Sequence, residues 1–201
     1  MMDDIFVWLF SNFWLFIILI IILSLAFSFR RYTKIKDLME NLALKRNGTV
    51  EGYFFHPVLV FPYHDLSVRV SSRQGSKNSP PETRVHTTLN NNLPSKVVIY
   101  KESIVSGLGK LVGMQDIQIG SDEFDKEFII RGDDEQFVIN LINYGIQNKL
   151  LGIKKEKPHV SIVGNSLDVY VQIFLKNEES YDQLIDIALA FVDRIKELKS
   201  I

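Results

Sequence analysis

The chain has 201 residues, 46% apolar and 23% charged, the balance of a folding chain rather than a disordered one. Its 23 basic and 24 acidic residues give a net charge of −1, without the basic stripe that phosphate backbones select, which excludes nucleic acid as an expected partner. It contains no cysteine, so disulfides, thiolate metal sites and cysteine nucleophiles are excluded, and His, Asp and Glu are the strong ligands that remain.

The first element is apolar. Val7 to Phe29 reads VWLFSNFWLFIILIIILSLAFSF, uncharged and interrupted only by Ser11, Asn12, Ser24 and Ser28. At about 1.5 Å per residue, such a helix crosses the roughly 30 Å hydrocarbon core of a bilayer. Only a helix satisfies its own backbone there, so the Ile and Phe content does not argue for a strand. Trp8 and Trp14 lie toward the amino-terminal end, where indoles favour the headgroup level. Ser24-Leu25-Ala26 has the small-x-small pattern of a signal-peptide cleavage site. The leading Met1-Met2-Asp3-Asp4 is acidic, however, where a signal peptide is basic, and the apolar run exceeds the roughly 7–15 residues of a signal h-region. Residues 1–29 therefore read as a retained transmembrane anchor.

Flanking charge sets the expected orientation. Asp3 and Asp4 precede the span, while Arg30, Arg31, Lys34 and Lys36 follow it. Lysine and arginine collect on the cytoplasmic side, which predicts an external N-terminus and a cytoplasmic domain. The same four cations form a membrane-surface set facing the anionic inner leaflet, although fixing topology accounts for them without a particular lipid.

Residues 30–48 read as a juxtamembrane helix. Ile35, Leu38, Met39 and Leu42 fall at i, i+3, i+4 and i+7, one apolar stripe that suits packing on the domain or on a second copy. Asn47-Gly48 stops the helix with residues that accept positive φ. Asn47-Gly48-Thr49 is also a glycosylation sequon, relevant only to an exported domain.

From residue 49 to residue 201 the pattern is that of one α+β domain. The period changes to 2, with strands predicted over Thr49–Phe55, Val58–Phe61, Leu66–Ser72, Thr83–Leu89, Lys96–Lys101, Ile117–Ile119 and Phe124–Arg131. Such close spacing leaves no room for parallel crossovers, so one mainly antiparallel sheet is expected. The polar segment RQGSKNSPPE, from Arg73 to Glu82, reads as a mobile loop. Asp133 to Leu151 reads as a helix with an Asp133/Gln136 capping box, broken at Gly145 and ended at Gly152. A hairpin follows, Val160–Val163 and Leu167–Leu175 around Gly164-Asn165. The last element, Tyr181–Leu198, is a long amphipathic helix capped by Ser180 and Gln183, whose apolar side has to cover a sheet. The fold class is thus an N-terminal transmembrane helix followed by one antiparallel-sheet domain with helices packed on it.

No motif names a reaction. Gly107-Leu108-Gly109-Lys110 with Gly113 lacks G-x-G-x-x-G spacing, and Leu111 follows the lysine where a phosphate loop places Ser or Thr. His56, His64, His86 and His159 have no i, i+4 pair for a helical metal site. Tyr63-His64-Asp65 sits at a turn beside Pro62, where a His–Asp hydrogen bond needs no chemistry. No G-x-S-x-G nucleophile elbow is present. The richest polar run is DIQIGSDEFDKEFIIRGDDE, from Asp116 to Glu135. As ligands for a hard cation the candidates are Asp116, Asp122, Asp125, Asp133 and Asp134, but the spacing is not that of an EF-hand. The structural alternative assigns Asp122 and Glu123 to a turn and Asp133–Glu135 to a helix N-terminus.

The string Asp116-Ile117-Gln118-Ile119-Gly120, with Phe124-Asp125, Phe128, Ile130 and Asp133-Asp134, resembles the central signature of a domain-of-unknown-function family of prokaryotic, often membrane-anchored proteins. This chain departs from it at Ser121-Asp122, where the family usually has Asp-Pro. The resemblance covers about twenty residues and the hairpin-then-helix ending. It implies no activity, only that the acidic cluster is a shared feature of the fold.

The functional expectation is a membrane-tethered, non-enzymatic binding or scaffolding domain. It is held to the membrane through residues 7–29, engages a protein partner or a second copy, and has no cofactor. Two alternatives are a lipid-binding module at the inner leaflet and a metal-dependent hydrolase using the 116–135 carboxylates. A lipid-binding module requires an apolar pocket or basic face near the membrane end. A hydrolase requires several of those carboxylates at one concave point.

Overall fold

The structure, a computed structural model, describes residues 13–52, 56–77, 79–101 and 115–199, excepting the side chains of Ser28, Arg31 and Gln115. Asp3, Asp4, Trp8 and the Gly107–Gly113 glycine segment lie outside the described residues.

Helix α1 runs unbroken over Phe13–Arg46, joining the apolar segment and the juxtamembrane stripe in one rod of 34 residues. It is long and apolar enough to cross a membrane. Along its length it changes surroundings. The large apolar side chains from Phe13 to Phe29 are exposed, whereas Met39, Leu42 and Ala43 are buried in the domain core. The end is built as the sequence suggests. Asn47 takes a left-handed φ of 53°, and the Gly48 N–H donates to the Ala43 carbonyl at 2.8 Å, closing the last turn. Glycine is needed at 48 for a second reason: a Cβ there would lie 2.6 Å from the Val60 carbonyl oxygen.

The domain is α+β, with a sheet of nine described strands. They are β1 (Thr49–Glu51), β2 (Val58–Tyr63), β3 (Leu66–Arg73), β4 (Glu82–Thr88), β5 (Val97–Lys101), β6 (Gln115–Ile117), β7 (Phe128–Gly132), β8 (His159–Val163) and β9 (Ser166–Val171). Their order is β1-β2-β3-β4-β9-β8-β5-β7-β6, and every pairing is antiparallel. The register lines up one continuous aliphatic row: Val50, Leu59, Val70, Val85, Val169, Val160, Ile99, Ile130 and Ile117. All but Val50 are buried. Branched side chains pack well on a pleated, half-covered surface, so this row both selects the strands and fixes their pairing.

The helices α2 (Asp122–Glu127), α3 (Glu135–Leu141), α4 (Tyr144–Gly152) and α5 (Glu178–Lys199) cover that face. Helix α5 packs on β4 and β9, with α3 and α4 against one side of it and the end of α1 on the other, over β1 and β2. Its buried side carries Tyr181, Leu184, Ile185, Ala188, Phe191, Val192 and Ile195. The opposite sheet face carries no helix among the described residues and is polar across its centre, where Arg69, His86, Asp168 and Ser161 share a row.

Several boundaries differ from the sequence expectation. Phe124–Arg131 is not one strand: Asp122–Glu127 is helical and β7 begins at Phe128. The Asp125 carboxylate causes this by accepting from the backbone N–H groups of Ile119, Gly120 and Ser121, each at 3.1 Å, which winds the chain into a turn. The expected helix over 133–151 is two helices, broken before Gly145 because Asn143 caps α4 by accepting from the Ile146 N–H at 3.0 Å. Asp134, not Asp133, caps α3. The last helix begins at Glu178, with Asn177 rather than Ser180 accepting from the first turn. The hairpin's second strand stops at Val171, so Gln172 to Leu175 is irregular.

Gly48→Val is expected to destabilise the domain by about 1–3 kcal/mol, the usual cost of overpacking against rigid backbone. Denaturant titration of the purified protein in detergent micelles measures this.

Candidate functional site

Where α1 enters the domain there is a cleft of about 590 Å³. Its apolar lining comes from Leu25, Phe27, Ile35 and Leu38 on α1 and from Phe174 and Leu175 on the β9–α5 connection. Tyr32, Lys34, His56, Gln74 and Lys176 supply its polar groups. The volume falls within the roughly 300–1,000 Å³ range of small-molecule sites. Leu25 and Phe27 belong to the apolar segment long enough to cross a membrane, so that segment forms one wall of the cleft.

A buried hydroxyl chain positions the opposite wall. Tyr181 and Ser72 lie 2.7 Å apart, Ser72 and Thr83 3.2 Å, and Thr83 donates to the Ile173 carbonyl at 2.9 Å. Thr83 has a single proton, so Ser72 donates to Thr83 and Tyr181 donates to Ser72. Thr83 also accepts from the Leu175 N–H at 3.4 Å, so one threonine holds both ends of the Ile173–Leu175 segment. Burial pushes the Tyr181 phenol above its usual range, keeping it neutral and able to donate.

The α1 wall is fixed by charge. Arg46 donates to Asp182 at 2.6 Å and to Asp186 at 3.1 Å, while Lys45 donates to Asp182 at 2.6 Å and to Glu178 at 3.2 Å. Burial alone would raise the Asp182 pKa, but the bonds from Lys45 and Arg46 outweigh it and the carboxyl is held below its ordinary value. Further along α5, Asp193 accepts from Tyr63 at 2.8 Å and lies 2.9 Å from His64 Nε2. Burial, then the bond to Asp193, pushes the Tyr63 phenol up to about 12.

The helix-free face carries a second constellation. Arg84 lies 4.8 Å over the Tyr170 ring, Tyr170 stacks on His159 at 4.5 Å, and His159 stacks on Tyr100 at 5.9 Å. His159 is buried, and its Nδ1 has no hydrogen-bond partner among the described residues. Burial, reinforced by the Arg84 charge, lowers its pKa to about 4, so the ring is neutral and packs as an aromatic.

The candidate carboxylates are occupied separately. Asp116 accepts from Arg131 at 2.7 Å, Asp125 closes the turn into α2, Asp134 caps α3, and Asp133 accepts from the Lys96 N–H at 3.4 Å. Asp122 opens the first turn of α2. Among the described residues no three His, Asp or Glu side chains gather as a metal would require. His64 does not pair with its neighbour Asp65, which accepts instead from Lys196 and Asn90; its partner is Asp193. His86 pairs with Asp168 at 3.1 Å, and His56 lies in the cleft. Of the membrane-surface set, Lys34 enters the cleft, Lys36 pairs with Glu40 at 3.3 Å, and Arg30 lies on an exposed face of α1.

Phe174, Leu175 and Lys176 were not foreseeable as site residues from motifs. The available signal was three consecutive apolar residues, Ile173-Phe174-Leu175, which break the period of 2 and so mark the end of a strand.

No family model and no curated protein matches the sequence. Among solved structures, the mycobacterial trehalose monomycolate transport factor A, TtfA, shares the fold with a TM-score of 0.58 at 8% identity, over 79% of this chain and 93% of that one.

The His159 environment has a pH signature. Its folded pKa lies below the unfolded value of 6.5, so the unfolded chain takes up the proton first and stability falls as pH drops from 6.5 toward 4. The loss amounts to up to about 3 kcal/mol and levels off below that window. His159→Phe is expected to flatten that part of the stability–pH curve relative to the parent, as read by denaturant titration at several pH values.

Proposed function

We propose that this is a single-span membrane protein whose domain is a non-enzymatic binding module for a bilayer amphiphile. The observation that carries the reading is the cleft: side chains of the span itself, Leu25 and Phe27, line the same cavity as Phe174 and Leu175 of the domain. An acyl chain leaving the bilayer along α1 therefore meets apolar side chains at both ends of the cleft, Leu25 and Phe27 at one and Ile35, Leu38, Phe174 and Leu175 at the other. A methylene drawn out of the bilayer into water costs about 0.8 kcal/mol, and an apolar cleft spares a partly extracted chain that cost. A protein-scaffolding role has less support. The large apolar side chains exposed beyond the span, among them Leu44, Ile139, Tyr144 and Val163, fall on separate elements rather than one patch. A transport-linked binding role is in keeping with the shared fold of TtfA, a trehalose monomycolate transport factor.

The domain is assigned to the cytoplasmic side. Arg30, Arg31, Lys34 and Lys36 follow the apolar segment, and the positive-inside bias counts such residues near a span end. Proteolysis of a tag placed at Ile201 is expected in inside-out vesicles and not in intact cells. Cleavage in intact cells reverses the assignment.

The cleft is tested by placing a photoreactive phenylalanine at Phe174 in the full-length protein, reconstituted in nanodiscs. Lipid adducts are expected there but not from the same group at Tyr144, which is 76% exposed on α4. Ile35→Trp, which fills the cavity, is expected to cut the Phe174 adduct at least about fivefold, since a large ring removes the space that a chain occupies. Equal adduct yields at the two positions, or no effect of filling, sink the reading.

A further inference from the structure

Resting on that reading, we infer that the cleft selects an amphiphile with an anionic headgroup, held between Lys34 and Lys176. The two lysines reach the cavity from different elements, Lys34 from α1 and Lys176 from the connection that Thr83 and Asn177 hold in place. The other polar groups in the lining are the phenol of Tyr32, the imidazole of His56 and the amide of Gln74, all able to donate to a phosphate or carboxylate oxygen. Among the described residues no aspartate or glutamate lines the cavity. Neither lysine makes an ion pair among the described residues, in contrast to Lys36, two positions along α1, which is neutralised by Glu40 at 3.3 Å. A negative group is what this lining lacks.

The layout along α1 fits a head-and-tail molecule. Lys34 lies about 14 Å of helix beyond Leu25, so along α1 the cation sits past Leu25 and Phe27, with apolar lining continuing beyond it at Ile35 and Leu38. A basic side chain at a membrane surface attracts anionic lipid without any cavity. Lys34 and Lys176 instead act together on one bound molecule, whereas Lys36, two positions along α1 and outside the cleft lining, does not.

The test uses the full-length protein with the photoreactive group at Phe174, in nanodiscs containing equal amounts of phosphatidylglycerol and phosphatidylcholine. Adducts are identified by mass spectrometry. Phosphatidylglycerol is expected to be captured about tenfold over phosphatidylcholine, the order that two basic contacts near the surface supply. Lys34→Gln with Lys176→Gln is expected to bring the ratio to about one while total capture persists, and Lys36→Gln is expected to leave it unchanged. Lys176→Gln alone, in a connection outside the span, is expected to lower it about threefold and covers the case in which the double variant does not fold. Equal capture of both lipids by the parent overturns the headgroup inference and leaves the amphiphile reading standing. A ratio that Lys36→Gln lowers as much as Lys176→Gln does overturns it too, because surface charge alone then explains the preference. Loss of the phosphatidylglycerol adduct on adding soluble glycerol phosphate at millimolar concentration assigns the cations to a free phosphate and overturns the lipid. Absence of every adduct at Phe174 overturns the amphiphile reading itself.

Discussion

A helix in a bilayer cannot bend freely, because each backbone group it releases has no water to replace the lost bond. The rest of this structure is arranged around that constraint. Helix α1 continues past the apolar segment without a break until Arg46, and its last turns serve as a core element of the domain. One rod therefore carries an exposed apolar end and an end buried in the domain core. The Asn47-Gly48 stop, with Gly48 pressed against the Val60 carbonyl, lets the chain reverse directly into β1. The Lys45/Arg46 pair then ties the rod to α5 through a half-buried carboxylate, Asp182. Desolvation works against such a cluster, and it holds because each acid accepts well-placed bonds from the cations rather than resting on attraction alone.

The two sheet faces divide the labour. The aliphatic row from Val50 to Ile117 provides the surface on which α1, α5 and the shorter helices lie. The uncovered face combines Arg69, His86 and Asp168 with an aromatic ladder from Tyr170 to Tyr100, whose rings bury one another across three strands. Stacked rings of this kind add a directional contribution to area burial. They also allow an imidazole to sit in the sheet without its charge.

Much of this was legible in the sequence because it depends on periodicity. The stripe Ile35, Leu38, Met39 and Leu42 appears where Met39 and Leu42 are buried, and the alternation in β3 and β4 follows the strands closely. The legible part ends where a single side chain overrides the pattern. Phe124 and Phe128 fit a strand face by alternation, yet they are four apart, and their rings stack at 4.8 Å as α2 hands over to β7. Asp125 decides between the readings by capturing three backbone N–H groups, a local side-chain choice that no window of hydrophobicity encodes. Asn143 splits the following helix in the same way. The cleft was less legible still. Its lining joins residues near 25–38 with residues 174–176, and only the sheet, through the pairing of β4 with β9, brings them together.

That pairing also orders events in time. Helix α1 leaves the ribosome before the sheet, whereas α5, which receives Arg46 and packs on β4 and β9, follows it. At about 5–20 residues per second, translation of the intervening sheet takes on the order of ten seconds. Throughout that interval Lys45 and Arg46 at the end of α1 await their acidic partners on α5. The cleft thus acquires its far wall, Phe174 and Leu175, only after its near wall on α1 has been made.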